Sequence, residues 1–193
     1  MRKLGPFKIC VIVLMAVVNV IGANIALVTR LPIYLDSIGT VMCAALFGPA
    51  CGIVSGVLGS FTCGITTDIY SLYYIPVQFA TGFFSGMIFK KCRPHGWDII
   101  LKAACVSIPA TVVGSVITAC VFHGITSSGS ALLVQLLNKC VGMNLTLSIC
   151  LVQALTDYAN CAVSIVAACA VLKVLPVQIK DAVRRSNISN GTI

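Results

Sequence analysis

The stretch LDSIGTVMCAALFGPACGIVSGVLGSFTCGIT, residues 35–66, decides the fold. It is apolar almost throughout, too long for one membrane span of about twenty residues and short for two. Its only obvious interruption is the Gly-Pro of FGPACG, residues 47–52, a helix-breaking pair. Whether the chain turns back there is settled by composition and charge elsewhere.

The whole chain has 193 residues, 59% of them hydrophobic and only 9% charged, with a mean hydropathy of +1.04. Soluble domains carry about 25% charged residues, so a soluble or disordered protein is excluded. The apolar runs are unbroken rather than alternating, which excludes a transmembrane barrel with its strands of about ten residues. The chain reads as one all-α membrane domain. The basic start and apolar run of MRKLGPFKICVIVLMAVV imitate a signal peptide. The run continues from residue 7 to about residue 28, long enough to be a retained first span.

Lys and Arg cluster at Arg2, Lys3 and Lys8, at Lys90, Lys91, Arg93 and Lys102, and at Lys173, Lys180, Arg184 and Arg185. The net charge of +8 therefore reports topology, with these clusters on the cytoplasmic side, rather than nucleic-acid binding. For the first two clusters to share a side, 35–66 must be two short helices. For the C-terminus to join them, 98–175 must hold two spans. The expectation is six transmembrane helices at about 7–29, 35–47, 50–66, 71–89, 98–122 and 146–174, with both termini cytoplasmic. Residues 131–142 then form an amphipathic segment at the outer rim, apolar at 132, 133, 136 and 137, and 176–193 a polar cytoplasmic tail. Its sequons at Asn187 and Asn190 carry no meaning on that side.

This topology puts Asp36, Asp68 and His123 towards the outside, and Asp157 and Asn160 in the outer to middle part of the sixth helix. Asp157 is the strongest clue, since an acid inside an apolar run marks a functional site by default. Gln153, Asp157, Asn160 and Ser164 share one helical face. Tyr74, Gln78, Thr81 and Ser85 form a second polar stripe, and Ser107, Thr111, Ser115 and Thr118 a third. Such stripes also serve as helix–helix hydrogen-bond networks. Together they suit a pocket for a small polar heterocycle. A carboxylate at Asp157 needs a partner. With Lys139 as the only nearby cation, either the acid is protonated or the ligand itself supplies a cation or hydrogen-bond donors; the second reading is favoured, which points to an amine-bearing or donor-rich ligand rather than an anionic one. Arg30 and Asp36, six residues apart in RLPIYLDSIGT, read either as a solvated loop pair or as an ion pair in a lid over that pocket.

No catalytic pattern and no nucleotide-binding loop is present, so the chain is expected to be no enzyme and to need no cofactor. The eleven Cys contain no CxxC pair and the two His have no ligand-like spacing with them, so no metal or disulfide role is expected.

The basic start, IGANIAL (21–27), LPIYLDSIGTVMCAALFGPACGIVSGVLGS (31–60) and IYSLYYIPVQFATGFFSGMIF (69–89) resemble the substrate-binding membrane subunits, or S components, of energy-coupling factor (ECF) transporters. The resemblance is strongest over 31–60 and covers the later half mainly in layout. It implies an S-component-like six-helix bundle in the bacterial cytoplasmic membrane that captures a vitamin or similar micronutrient under the loop between helices one and two. It also implies partners, namely a membrane coupling subunit and two ATPase subunits. The family's Ala-x-x-x-Ala docking motif is matched as Gly22-x-x-x-Ala26. Metal-specific members begin Met-x-His, whereas this chain begins MRK, which argues against nickel or cobalt. The alternative is an autonomous secondary transporter of a small polar metabolite, although no matching inverted halves are visible.

Overall fold

A computed structural model describes residues 5–91, 97–122, 129–140 and 142–189. Arg2, Lys3, Arg93, His123 and the sequon at Asn190 lie outside them. Among the described residues the chain is helical without strands: α1 (Pro6–Val28), α2 (Ile38–Phe47), α3 (Pro49–Thr66), α4 (Tyr70–Tyr73), α5 (Ile75–Lys91), α6 (Asp98–Cys120), α7 (Ser130–Cys140), α8 (Leu145–Val174) and α9 (Val177–Ser189). Four of these, α1, α3, α6 and α8, are long and apolar enough to cross a membrane.

The decisive stretch does turn back, and Gly48 makes the turn. It caps α2 at φ +88, a backbone conformation that favours Gly, and Pro49 follows at the first position of α3. The helix before the turn is shorter than its apolar run implies. At ten residues α2 spans about 15 Å, half of a bilayer core. Non-helical chain, residues 29–37, precedes it. α1 ends when Arg30 adopts φ 51, with Arg30 N–H donating to the Leu27 carbonyl (3.2 Å) and Leu31 N–H to the Ala26 carbonyl (2.9 Å). That is the paired bonding of a Schellman cap, with Arg where Gly is usual and Pro32 just beyond.

From this cap the chain runs back down the side of α1. The Leu35 carbonyl lies on Gly22, Gly39 lies on the Met15 carbonyl, and the Phe47 ring meets Phe7 with centroids 6.4 Å apart. Residues 31–47 thus pack antiparallel to α1 as one strip, extended first and helical after Ile38. Irregular backbone at such depth is tolerated where it is enclosed by protein or lines a cavity.

This strip overturns two expectations. Gly22 and Ala26 are buried against the chain's own residues, so the small pair is not an outward docking surface. A Cβ on Gly22 would strike the Leu35 backbone. The outward face of α1 is instead Val13, Val17, Ile21 and Ile25, about half exposed and bulky. Asp36 does not sit at the outer mouth beside Arg30; it is carried inward by the strip.

Small residues let the other helices close up in the same way. On α5, a Cβ on Gly82 would come within 2.6 Å of the Ile53 backbone nitrogen of α3. Close backbone approach of this kind is how membrane helices associate without a hydrophobic driving force. α6 packs along α8. α7 turns Ala131 and Val134 onto Ile149 and Val152 of α8, leaving Leu132, Leu133 and Leu136 outward. Its protein-facing side is thus shifted from the apolar positions the sequence suggested.

Lys8, Lys90, Lys180 and Arg184 gather at one end of the bundle. Lys8 is buried there with its ammonium 5.4 Å from the Phe47 ring centroid, and Lys90 lines the same cleft. The expected polar tail is largely the helix α9. It buries Val183 and donates from Asn187 Nδ2 to the Leu46 carbonyl (2.9 Å), covering the end of α2.

Candidate substrate-binding site

A cavity opens in the half of the bundle away from the basic end. Its wall includes Tyr34, Asp36 and Ser37 from the inward strip, Asp68 and Ser71 around α4, and Tyr74, Gln78 and Thr81 at and after the start of α5. Gln153, Asp157, Asn160 and Cys161 of α8 complete it, with Ala110 of α6. No Lys, Arg or His among the described residues lines it. The space open to water-sized occupants is about 40 Å³, room for roughly three waters at about 10–15 Å³ each.

The floor is a network that begins at Asn19 in the middle of α1. Asn19 is 2% exposed. Its Oδ1 accepts from the backbone N–H of Gly39 (2.7 Å) and Thr40 (3.2 Å), and its Nδ2 donates to Thr40 Oγ1 (2.8 Å). It thereby caps the start of α2, where Ser37 makes no side-chain cap of its own. Thr40 Oγ1 donates to Gln78 Oε1 (2.9 Å), which leaves Gln78 Nε2 to face the strip. That nitrogen donates to Asp36 Oδ2 (2.8 Å) and Ser37 Oγ (3.2 Å). From the other side Asn160 Nδ2 donates to Ser37 Oγ (3.1 Å) and Asp36 Oδ1 (3.4 Å). Asp36 therefore links α5 to α8 through side chains 42 and 124 residues away in sequence.

Asp157 is held by a second network nearer α6. Thr111 Oγ1 donates to its Oδ2 (3.0 Å) and Gln153 Nε2 to its Oδ1 (3.4 Å). Gln153 Oε1 in turn lies 3.4 Å from Thr118 Oγ1, which is hydrogen-bonded to Tyr74 Oη. Above this the Tyr34 and Tyr74 rings lie 6.4 Å apart, and Tyr70, Tyr73 and Tyr74 surround Phe122. Thr111 itself is not a wall residue; it acts through Asp157.

Of the residues singled out in the sequence, Asp36, Tyr74, Gln78, Gln153, Asp157 and Asn160 meet at this one cavity, with Thr111 behind them. Arg30 does not: it closes α1, and among the described residues no ion pair joins it to Asp36. Asn19 and Ser37 were missed. A lone Asn inside VIVLMAVVNVIGAN (11–24) was the available signal for the first. Among the described residues no cluster of three potential metal ligands exists. No family model, curated protein or solved structure matches the chain.

Proposed function

We propose that this chain is the substrate-capture subunit of an ECF-type importer for a vitamin or similar small heterocyclic micronutrient. The observation that carries the proposal is the polar cavity assembled from the segment after α1 together with α5 and α8, at the end away from Lys8 and Lys90. A capture subunit needs such a site on the outer half. The basic end, with Lys8 and Lys90 against α9, is the natural cytoplasmic side. In this proposal α1, the strip 31–47, α3, α5, α6 and α8 are six crossings of a bacterial cytoplasmic membrane, and both termini lie inside.

The resemblance over 31–60 supplies the partners: a membrane coupling subunit and two ATPases that would provide the energy. Gly22 and Ala26 are already occupied by the strip, so in this proposal the partner contact lies elsewhere on the bundle. Affinity purification of the full chain from its native membrane tests the reading. Identified ATPase and coupling subunits should co-purify in fixed stoichiometry. A chain that purifies alone, yet accumulates solute in liposomes under an ion gradient, would be the autonomous secondary transporter instead.

A further inference from the structure

The cavity wall has an imbalance of hydrogen-bonding groups that defines what can fill it. Asp36 and Asp157 come from the strip and from α8 and face the same space. The amide nitrogens beside them are already committed. Gln78 and Asn160 have turned their amide nitrogens to Asp36 and Ser37. Ser37 Oγ donates to Asp36 Oδ1 (3.1 Å), and Thr111 and Gln153 donate to Asp157. The two carboxylates keep spare acceptor capacity, since each oxygen has lone pairs for more than the bonds it receives, while the Ser71 and Thr81 hydroxyls on the wall can donate or accept.

The decisive atom is Asn160 Oδ1. Asn160 is 7% exposed and lines the cavity, yet this oxygen has no hydrogen-bond partner. Turning the amide over would set the oxygen against the Asp36 carboxylate, acceptor against acceptor, and remove the donor that Asp36 and Ser37 now share. An orphan buried acceptor beside two carboxylates, with no Lys, Arg or His on the wall among the described residues, calls for donors and positive charge from outside the chain. The tilted Tyr34 and Tyr74 rings add faces that attract a cation.

We infer that the ligand is a small organic cation bearing N–H donors, held between Asp36 and Asp157 and donating to Asn160 Oδ1. An amidine, an aminopyrimidinium or a primary ammonium on a flat ring has this chemistry. The inference deepens the capture proposal and rests on it for the cavity being a ligand site. Metal-ion binding is disfavoured because no three-ligand cluster occurs among the described residues.

Three isosteric probes separate charge from shape: acetamidinium, acetamide and acetate, each small enough for a cavity of this size. They are titrated at constant ionic strength against the full chain in detergent, and the thermal unfolding midpoint is read. Acetamidinium should raise the midpoint saturably, acetamide less, and acetate not at all. Asp36→Asn and Asp157→Asn should each weaken the acetamidinium response by about tenfold or more, the loss of a charge-assisted bond. The wild-type comparison stands even if a variant fails to fold. The inference is overturned if acetate stabilises as well as acetamidinium, if acetamidinium gives no shift, or if the shift survives in both variants. It is equally overturned if sodium or potassium alone reproduces it through the same residues. Loss of partner co-purification with an intact acetamidinium response would sink the capture proposal alone. The converse result would sink the ligand class alone.

Discussion

Asn19 commits its whole side chain to the strip that follows α1, and that makes it the most consequential polar residue outside the cavity wall. Asn19→Ala would leave the Gly39 and Thr40 amides without their acceptor in a dry interior. It should destabilise the chain by about 2–6 kcal/mol, from about 1–3 kcal/mol for each of the two stranded amides. Chemical denaturation in mixed micelles measures this; an unchanged midpoint would show that α2 is capped by something else. Asp157→Asn keeps shape but removes charge, and should weaken binding of the retained substrate by about 1.5–3 kcal/mol in calorimetry. Arg30 invites the opposite expectation. Its φ of 51 costs a non-Gly residue about 1–2 kcal/mol. Arg30→Gly should therefore raise stability by about 1 kcal/mol and leave ligand binding as it was, because Arg30 lies off the cavity wall. A loss of binding would return Arg30 to the site.

At the level of elements, the strip 31–47 explains both what the sequence made legible and what it hid. The break at Gly48-Pro49 was visible because Gly permits, and Pro enforces, backbone geometry that a helix interior does not accommodate. The α8 stripe of Gln153, Asp157 and Asn160 was visible because helical spacing puts polar groups on one face whatever they touch. The extended start of the strip was invisible. Apolar composition reports that a segment avoids water, not whether its backbone is helical, and tertiary enclosure permits residues 31–37 to remain irregular. The inward turn of Gly22 was hidden for a related reason: small residues mark close contact without naming the partner. The tail was misread because α9 gains its hold from a few groups, Val183 and Asn187, among many polar ones. The Gly22 contact yields a direct test. Gly22→Leu would push the strip off α1, so the variant should lose both thermal stability and ligand binding. Ile21→Ala, one residue away on the exposed face, should change stability by no more than about 0.5 kcal/mol. Intact binding in Gly22→Leu would mean that the strip does not need its seat on α1.

Across the whole molecule, one basic end and one acidic cavity half give the bundle its polarity. In a chain freed of its native cysteines, Lys139→Cys at the end of α7 should react with an impermeant maleimide added outside intact cells. Lys180→Cys on α9 should react only after the membrane is opened. The reverse pattern, or equal labelling, would break the six-crossing topology. On the proposed topology the cavity faces outward, and the chain by itself should bind but not move its substrate. The most direct measurement is uptake into proteoliposomes of the compound released from the purified chain. The chain alone should bind that compound and accumulate none of it, under a proton or sodium gradient or without one. Adding the coupling subunit and ATPases with ATP should start uptake, and Asp157→Asn should reduce it. Gradient-driven accumulation by the chain alone would contradict a capture subunit and make this protein a transporter in its own right.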